Sequence, residues 1–372
     1  MAEIALEEKK RHAEAKHRFE GGLPVVSGAP RAHLPALTGL RFVLALWVVL
    51  HHLNGPGMML DAAVRGLPAG AASIVRHGYL AVATFFVLSG FVLALSYGGA
   101  GWTCGGLWRY AVARFARIYP VYALSMMIVL PFMIAARVAG KAWLVADYGL
   151  LLQGWTGTLP VHWNTPAWSL SCEVFFYLCF PLAAAPLARA RWGAVAAALV
   201  SACLLPTALL RLGVPHAWKP LVHLADFVAG IAAARAYALL APRLGGRGHW
   251  LYAPAAAALA ALLAWPQMVP APLNAVMRPL NALLLAGLAL GGGLGVRALS
   301  TRSAVFLGKA SYAMYILHVP ILWWYKRLLP PMPAYEAALV YIALVTAISG
   351  AVFLLVEQPA NRALRERLGR AA

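Results

Sequence analysis

The chain has 372 residues, 62% of them hydrophobic and only 12% charged, where a soluble domain carries about 25% charged and 45–50% apolar residues. With a mean hydropathy of +0.73, that composition excludes an ordinary soluble fold. The 31 Lys and Arg outnumber the 12 Asp and Glu for a net +19. On so apolar a chain this reads as basic loops at the cytoplasmic face of a membrane, not as a nucleic-acid surface.

Residues 1–33 form a charged tail. Glu3, Glu7, Glu8, Glu14 and Glu20 alternate with Lys9, Lys10, Arg11, Lys16 and Arg18. Without an apolar run or a small-residue cleavage site the tail is no signal peptide, and a solvated cytoplasmic segment is expected. From 34 to 360 the pattern predicts an all-α polytopic membrane domain of about ten helices, because each run approaches the roughly 20 residues a span needs. The expected spans are 36–54, 78–98, 118–138, 167–187, 192–211, 221–241, a short Ala-rich 251–265, 279–296, 304–325 and 336–357. No period-2 alternation suggests a barrel, and no internal repeat is visible. Residues 361–372 form a basic cytoplasmic end. Counting Lys and Arg in the loops, with Arg109, Arg114 and Arg117 inside and Arg278 and Lys219 outside, favours both termini in the cytoplasm of a bacterial inner membrane.

Only seven acids lie beyond the tail. Asp61, Asp147, Glu336 and Glu366 fall in or beside loops. Glu173, Asp226 and Glu357 fall in apolar segments, where a carboxylate is costly and marks function. Cys104, Cys172, Cys179 and Cys203 form no CxxC or Cys/His cluster, so no metal site is expected.

Several spans carry polar stripes. In the first, Arg41 and His52 lie about 20° apart on one helix face and roughly 16 Å apart along it, with His51 turned away by about 80°. A neutral imidazole at His52 suits a general base acting on a hydroxyl. Phe85-Phe86-Val87-Leu88-Ser89-Gly90 reads as a close-packing segment. Arg114 and Arg117, three apart, point the same way and suit either lipid headgroups or a phosphate clamp. Ser169, Glu173 and Tyr177 share a face, as do Ser311, Tyr315 and His318. His223 lies three residues before Asp226. Glu173 requires a partner, for which Arg41 or a histidine is available.

Taken together these residues resemble the acyltransferase 3 family of membrane O-acyltransferases. Arg41 to His52 is similar to the family's Arg, ten residues, His signature. Phe85 to Gly90 resembles its second-helix motif, and Arg114, Arg117, Tyr119 and Pro120 its RxxR followed by Tyr-Pro. Trp168-Ser169-Leu170-Ser171 with Glu173, Phe176, Tyr177 and Pro181, and later Gly308, Ser311, Tyr315, His318, Glu357 and Pro359, extend the likeness over roughly 34–360. The doubled His51-His52 departs from the aromatic that often precedes the family's histidine.

The resemblance implies transfer of an acyl group, often acetyl, from a cytosolic donor such as acetyl-CoA to a hydroxyl of a glycan, lipid or small molecule. No tightly bound cofactor is implied. Many members also carry an extracytoplasmic SGNH hydrolase-like domain; these 372 residues contain none, so a stand-alone member is expected. His52 would be the base, oriented by Glu173. Arg114 and Arg117 would hold the coenzyme A phosphates, with Arg41 contacting the donor or pairing in the bundle. Ser169, Tyr177, Asp226, Ser311, Tyr315, His318 and Glu357 would support them. The competing reading is a proton-coupled transporter, for which intramembrane His, Asp and Glu are equally suited.

Overall fold

The computed structural model describes residues 34–98, 102–136, 141–157, 163–215, 218–268 and 273–369; the charged tail 1–33 and the last three residues lie outside them. The described residues contain helices and connecting turns and no strand, as expected for an all-α membrane protein. The helices are α1 Pro35–His52, α2 Ala81–Tyr97, α3 Cys104–Ala135, α4 Lys141–Gly149, α5 Gln153–Thr156, α6 Trp168–Ala184, α7 Trp192–Arg211, α8 Lys219–Leu244, α9 His249–Ala264, α10 Leu273–Leu290, α11 Gly293–Leu299, α12 Arg302–Leu328, α13 Ala334–Val352 and α14 Gln358–Gly369. Two further short helices, Asp61–Arg65 and Ala69–Arg76, lie between α1 and α2.

Each expected span has a helical counterpart. Among the described residues, eight segments are long and apolar enough to cross a membrane; the short α9 and the broken α10–α11 pair supply the other two. The 279–296 stretch is not one rod. Gly291, Gly292 and Gly293 all take positive φ, a conformation that costs glycine little and other residues more, and the axis turns by 80° there.

Two expectations about loops are corrected. α3 begins at Cys104, capped by Thr103 Oγ1 on the Gly106 N–H at 3.1 Å, and runs 32 residues. Arg109, Arg114 and Arg117 therefore project from a helix and not from an inner loop. The connection from α3 to α6 is also not a simple outer loop. α4 folds back on α3, where the Tyr122 hydroxyl donates to the Tyr148 carbonyl at 2.6 Å and the Tyr119 hydroxyl to that of Gly149, and α5 packs on α6. Asp147 is buried on α4, not beside a loop.

α2 is apolar nearly all round and therefore central, packing its Gly90 against α8. The fit is reciprocal: a Cβ on Gly90 would meet the Phe227 carbonyl, and one on Gly230 the Val87 carbonyl. Small residues at such crossings let membrane helices approach backbone to backbone, so Gly90 packs as its sequence context suggests. α12, buried along most of its length, packs against α1, with Gly308 against the Thr38 carbonyl. The contacts among α1, α2, α3, α6, α8 and α12 enclose the polar interior.

Candidate active site

Three neighbouring cavities lie along this interior. At one end, Arg41, Arg114, Arg117, Ser89, Glu173, Tyr177 and Tyr312 line a chamber of about 130 Å3. A narrow middle cavity of about 50 Å3 shares Arg41, Glu173 and Tyr312 with it and adds Ser169, Ser311 and Tyr315. Tyr315 and Val82 then border a third chamber of about 240 Å3 that holds His51, His52, Trp168, Lys219 and His223. The face shared by Arg41 and His52 on α1 thus runs past the cavities from one end to the other.

At the arginine end, Arg117 hydrogen-bonds Glu357 Oε1 and its guanidinium lies 5.2 Å from the Tyr312 ring centroid. Glu357 reaches inward from a single π-helical turn, Phe353–Glu357, between α13 and α14; one extra residue in the turn rotates its side chain into the bundle. Arg114 stands among the rings of Tyr97, Tyr110 and Tyr177, each 5.6–5.8 Å away, and its buried Nε lacks a hydrogen-bond partner among the described residues. Glu173 accepts a hydrogen bond from the Tyr177 hydroxyl at 3.0 Å. At the junction, the Tyr315 hydroxyl meets Ser169 Oγ at 2.8 Å, Ser169 in turn donates to the Pro166 carbonyl, and buried Ser311 Oγ has no hydrogen-bond partner among the described residues.

At the other end, His52 Nδ1 is 2.9 Å from the Val48 carbonyl and 3.3 Å from His318 Nε2. His318 Nδ1 is 2.7 Å from the Tyr315 carbonyl. Carbonyl oxygens only accept, so both Nδ1 atoms carry hydrogen. His318 Nε2 is then an acceptor for His52, and His52 Nε2 keeps its lone pair for the chamber. His51 reaches the same chamber, its Nδ1 bound to the Arg76 carbonyl at 2.7 Å.

The sequence-expected residues therefore divide into two groups. Arg41, Arg114, Arg117, Glu173, Tyr177 and Glu357 gather at one end; His52 and His318 meet at the other, with Ser169, Ser311 and Tyr315 between them. Glu173 is not a hydrogen-bond partner of His52, whose orienting group is His318, seated by the Tyr315 carbonyl. Asp226 faces away from the arginines and binds Arg278 Nε at 2.6 Å and His223 Nδ1 at 2.8 Å. Arg278 is only 3% exposed, a buried partner and not an outer-loop base. Lys219 opens α8, and its Nζ lies 4.3 Å from the Trp168 ring centroid. His223, Arg278, Lys219 and Trp168 are missing from the sequence-expected set. The His223/Asp226 spacing was the available signal, whereas a charged residue at the end of an apolar run reads as a boundary.

Comparison with known proteins shows the family. Residues 34–356 match the family model of the acyltransferase domain that defines the acyltransferase 3 family. The chain is 33% identical over 375 aligned residues to "Acyltransferase MdmB" of Streptomyces mycarofaciens, covering 90% of this chain and 93% of that protein. It is 30% identical over 196 residues to "Protein 2 in picA locus" of Rhizobium radiobacter, covering 45% of this chain and 87% of that protein. No solved structure matches it significantly. With the arginine and histidine ends now located in the fold, the chain belongs to the acyltransferase 3 family of membrane acyltransferases.

Proposed function

We propose that this acyltransferase moves an acyl group, most simply acetyl, from acyl-CoA to a hydroxyl of a glycan, lipid or small-molecule acceptor, in the bacterial inner membrane with both termini cytoplasmic. The carrying observation is the line of cavities from the arginine cluster to His52. Arg114, with its unpartnered Nε, and Arg117 offer guanidinium geometry that matches phosphate oxygens. On this reading the coenzyme A phosphates rest at the cytoplasmic end and the pantetheine arm extends past Arg41 and Tyr315. The thioester then lies near His52, roughly 16 Å along α1 from Arg41.

His52 Nε2 takes the proton of the acceptor hydroxyl as its oxygen attacks the thioester carbonyl. The carbon–oxygen bond forms, the carbon–sulfur bond breaks, and coenzyme A leaves as the thiol, its sulfur taking up one proton for the one removed from the hydroxyl. A positioned general base contributes about 10²–10⁴-fold. The test supplies radiolabelled acetyl-CoA and an extract of the native cells to the purified protein and its His52→Gln variant. We expect a loss of that size with coenzyme A binding retained. Undiminished transfer by a folded variant would refute the assignment, and substrate flux without any new ester would favour a transporter.

A further inference from the structure

Besides His51, the chamber around His52 contains a further imidazole. His223, near the start of α8, lines the same chamber, and its Nδ1 is 2.8 Å from Asp226 Oδ2. The other carboxylate oxygen, Oδ1, accepts from Arg278 Nε at 2.6 Å. Asp226 has no exposed surface, so its carboxylate is closed to water, while the His223 ring stays accessible from the chamber. Arg278 engages only one of the two Asp226 oxygens. Because the carboxylate only accepts, His223 Nδ1 carries hydrogen and Nε2 is the nitrogen left for the chamber. The ring centroid lies 5.2 Å from that of Phe86 and 5.4 Å from that of Trp168.

The two histidines are held by different groups. His52 donates Nδ1–H to a backbone carbonyl and to a second imidazole; His223 donates to a carboxylate. A proton gained at His223 Nε2 gives an imidazolium compensated by Asp226 and flanked by two π faces, whereas His52 has only neutral partners. Two titratable groups in one site with unlike surroundings divide the acid and base roles. The remaining titratable groups on the wall are His51, Tyr79, Lys219 and Tyr315. Of these, Lys219 rests over Trp168, and His51 is held through Nδ1 by the Arg76 carbonyl with no carboxylate behind it.

We propose that His223 is the general acid of the acyl transfer, oriented by Asp226, and that His52 is the base. This rests on the acyl-CoA reading above. As the acceptor oxygen bonds to the carbonyl carbon, its proton moves to His52 Nε2. His223 enters this step as the imidazolium, protonated at both nitrogens, and as the carbon–sulfur bond breaks the sulfur takes its Nε2 proton. His52 then returns its proton to His223 across the chamber, and both rings are reset.

A general acid matters in proportion to how poor the leaving group is, which supplies the test. Thiol release is measured from acetyl-CoA and from phenyl thioacetate, whose thiolate leaves without protonation. The acceptor is an extract of the native cells, and the full-length wild type is compared with His223→Gln and His52→Gln. His223→Gln is expected to lose about 10²–10⁴-fold with acetyl-CoA and less than about tenfold with phenyl thioacetate, while His52→Gln loses similarly with both. Asp226→Asn is expected to follow His223→Gln in its donor dependence. Equal losses by His223→Gln with the two donors, or rescue of His52→Gln instead, overturn the assignment. A wild type that releases thiol from neither donor overturns the acyl-CoA reading itself, and the acid falls with it.

Discussion

Replacing Glu357 by Gln tests the charge balance at the arginine end. Glu357 is 3% exposed and its partner Arg117 has a quarter of its side chain accessible, so the pair is largely cut off from water. Removing one member of a buried pair costs about 3–5 kcal/mol, because the survivor is left uncompensated. A glutamine amide oxygen can still accept one ordinary hydrogen bond from Arg117, returning about 1 kcal/mol. The expected destabilisation is therefore about 2–4 kcal/mol. The internal control is Asp61→Asn: Asp61 and Arg65 pair at 3.1 Å, but the arginine is 65% exposed, and such pairs are worth less than about 1 kcal/mol. Thermal unfolding in detergent, with and without coenzyme A, reads both effects. If phosphates occupy this chamber, coenzyme A supplies the missing negative charge and raises the midpoint of Glu357→Gln more than that of the wild type. A Glu357→Gln variant no less stable than Asp61→Asn would refute the buried-pair argument. Equal stabilisation of variant and wild type by coenzyme A would refute the phosphate site.

Two further outcomes are expected. Arg114→Ala removes a charged donor worth about 1.5–3 kcal/mol, so coenzyme A affinity measured by calorimetry should fall roughly 10- to 150-fold; an unchanged Kd excludes Arg114 from the donor site. Gly90→Ala drives a methyl group into the Phe227 carbonyl and should lower stability by about 1–3 kcal/mol, measured by unfolding in detergent. Gly193→Ala, on α7 with open space at its Cβ, serves as the neutral control.

The spans were legible because lipid leaves no alternative to helix for an apolar run, and every run found one. The stripes on single helices were legible for a related reason: the 3.6-residue period fixes which side chains share a face. It placed Arg41 with His52, and Tyr315 with Ser311, before any packing was known. What a single helix cannot encode is its partner across the bundle. Glu173 and His52 each look along the sequence as if they need the other, yet Glu173 binds Tyr177 one turn away on its own helix, and His52 finds His318. Arg278 was misplaced for the same reason. A charge at the edge of an apolar run marks a loop unless a carboxylate awaits it on another helix, and Asp226 sits 52 residues earlier in the chain. The π-helical turn that brings Glu357 inward and the bend at Gly291–Gly293 are local, but they follow from packing more than from a readable period.

The scarcity of acids now acquires a spatial meaning. A cation inside a membrane bundle requires a counter-charge, and two of the three intramembrane carboxylates are each spent on an identified base: Asp226 on Arg278 and Glu357 on Arg117. Glu173 is shared through a cavity with Arg41, Arg114 and Arg117 and hydrogen-bonds a tyrosine. Among the described residues neither Arg41 nor Arg114 has a carboxylate within ion-pair distance. The arginine chamber therefore carries more positive charge than its own acids balance, and Arg114 is held open by aromatic rings instead of an anion. A fold that pairs Arg278 so completely at one end had the means to pair Arg114 at the other. That no carboxylate among the described residues pairs with Arg114 supports the proposal that negative charge arrives with a substrate, as a donor bearing several phosphates would bring it.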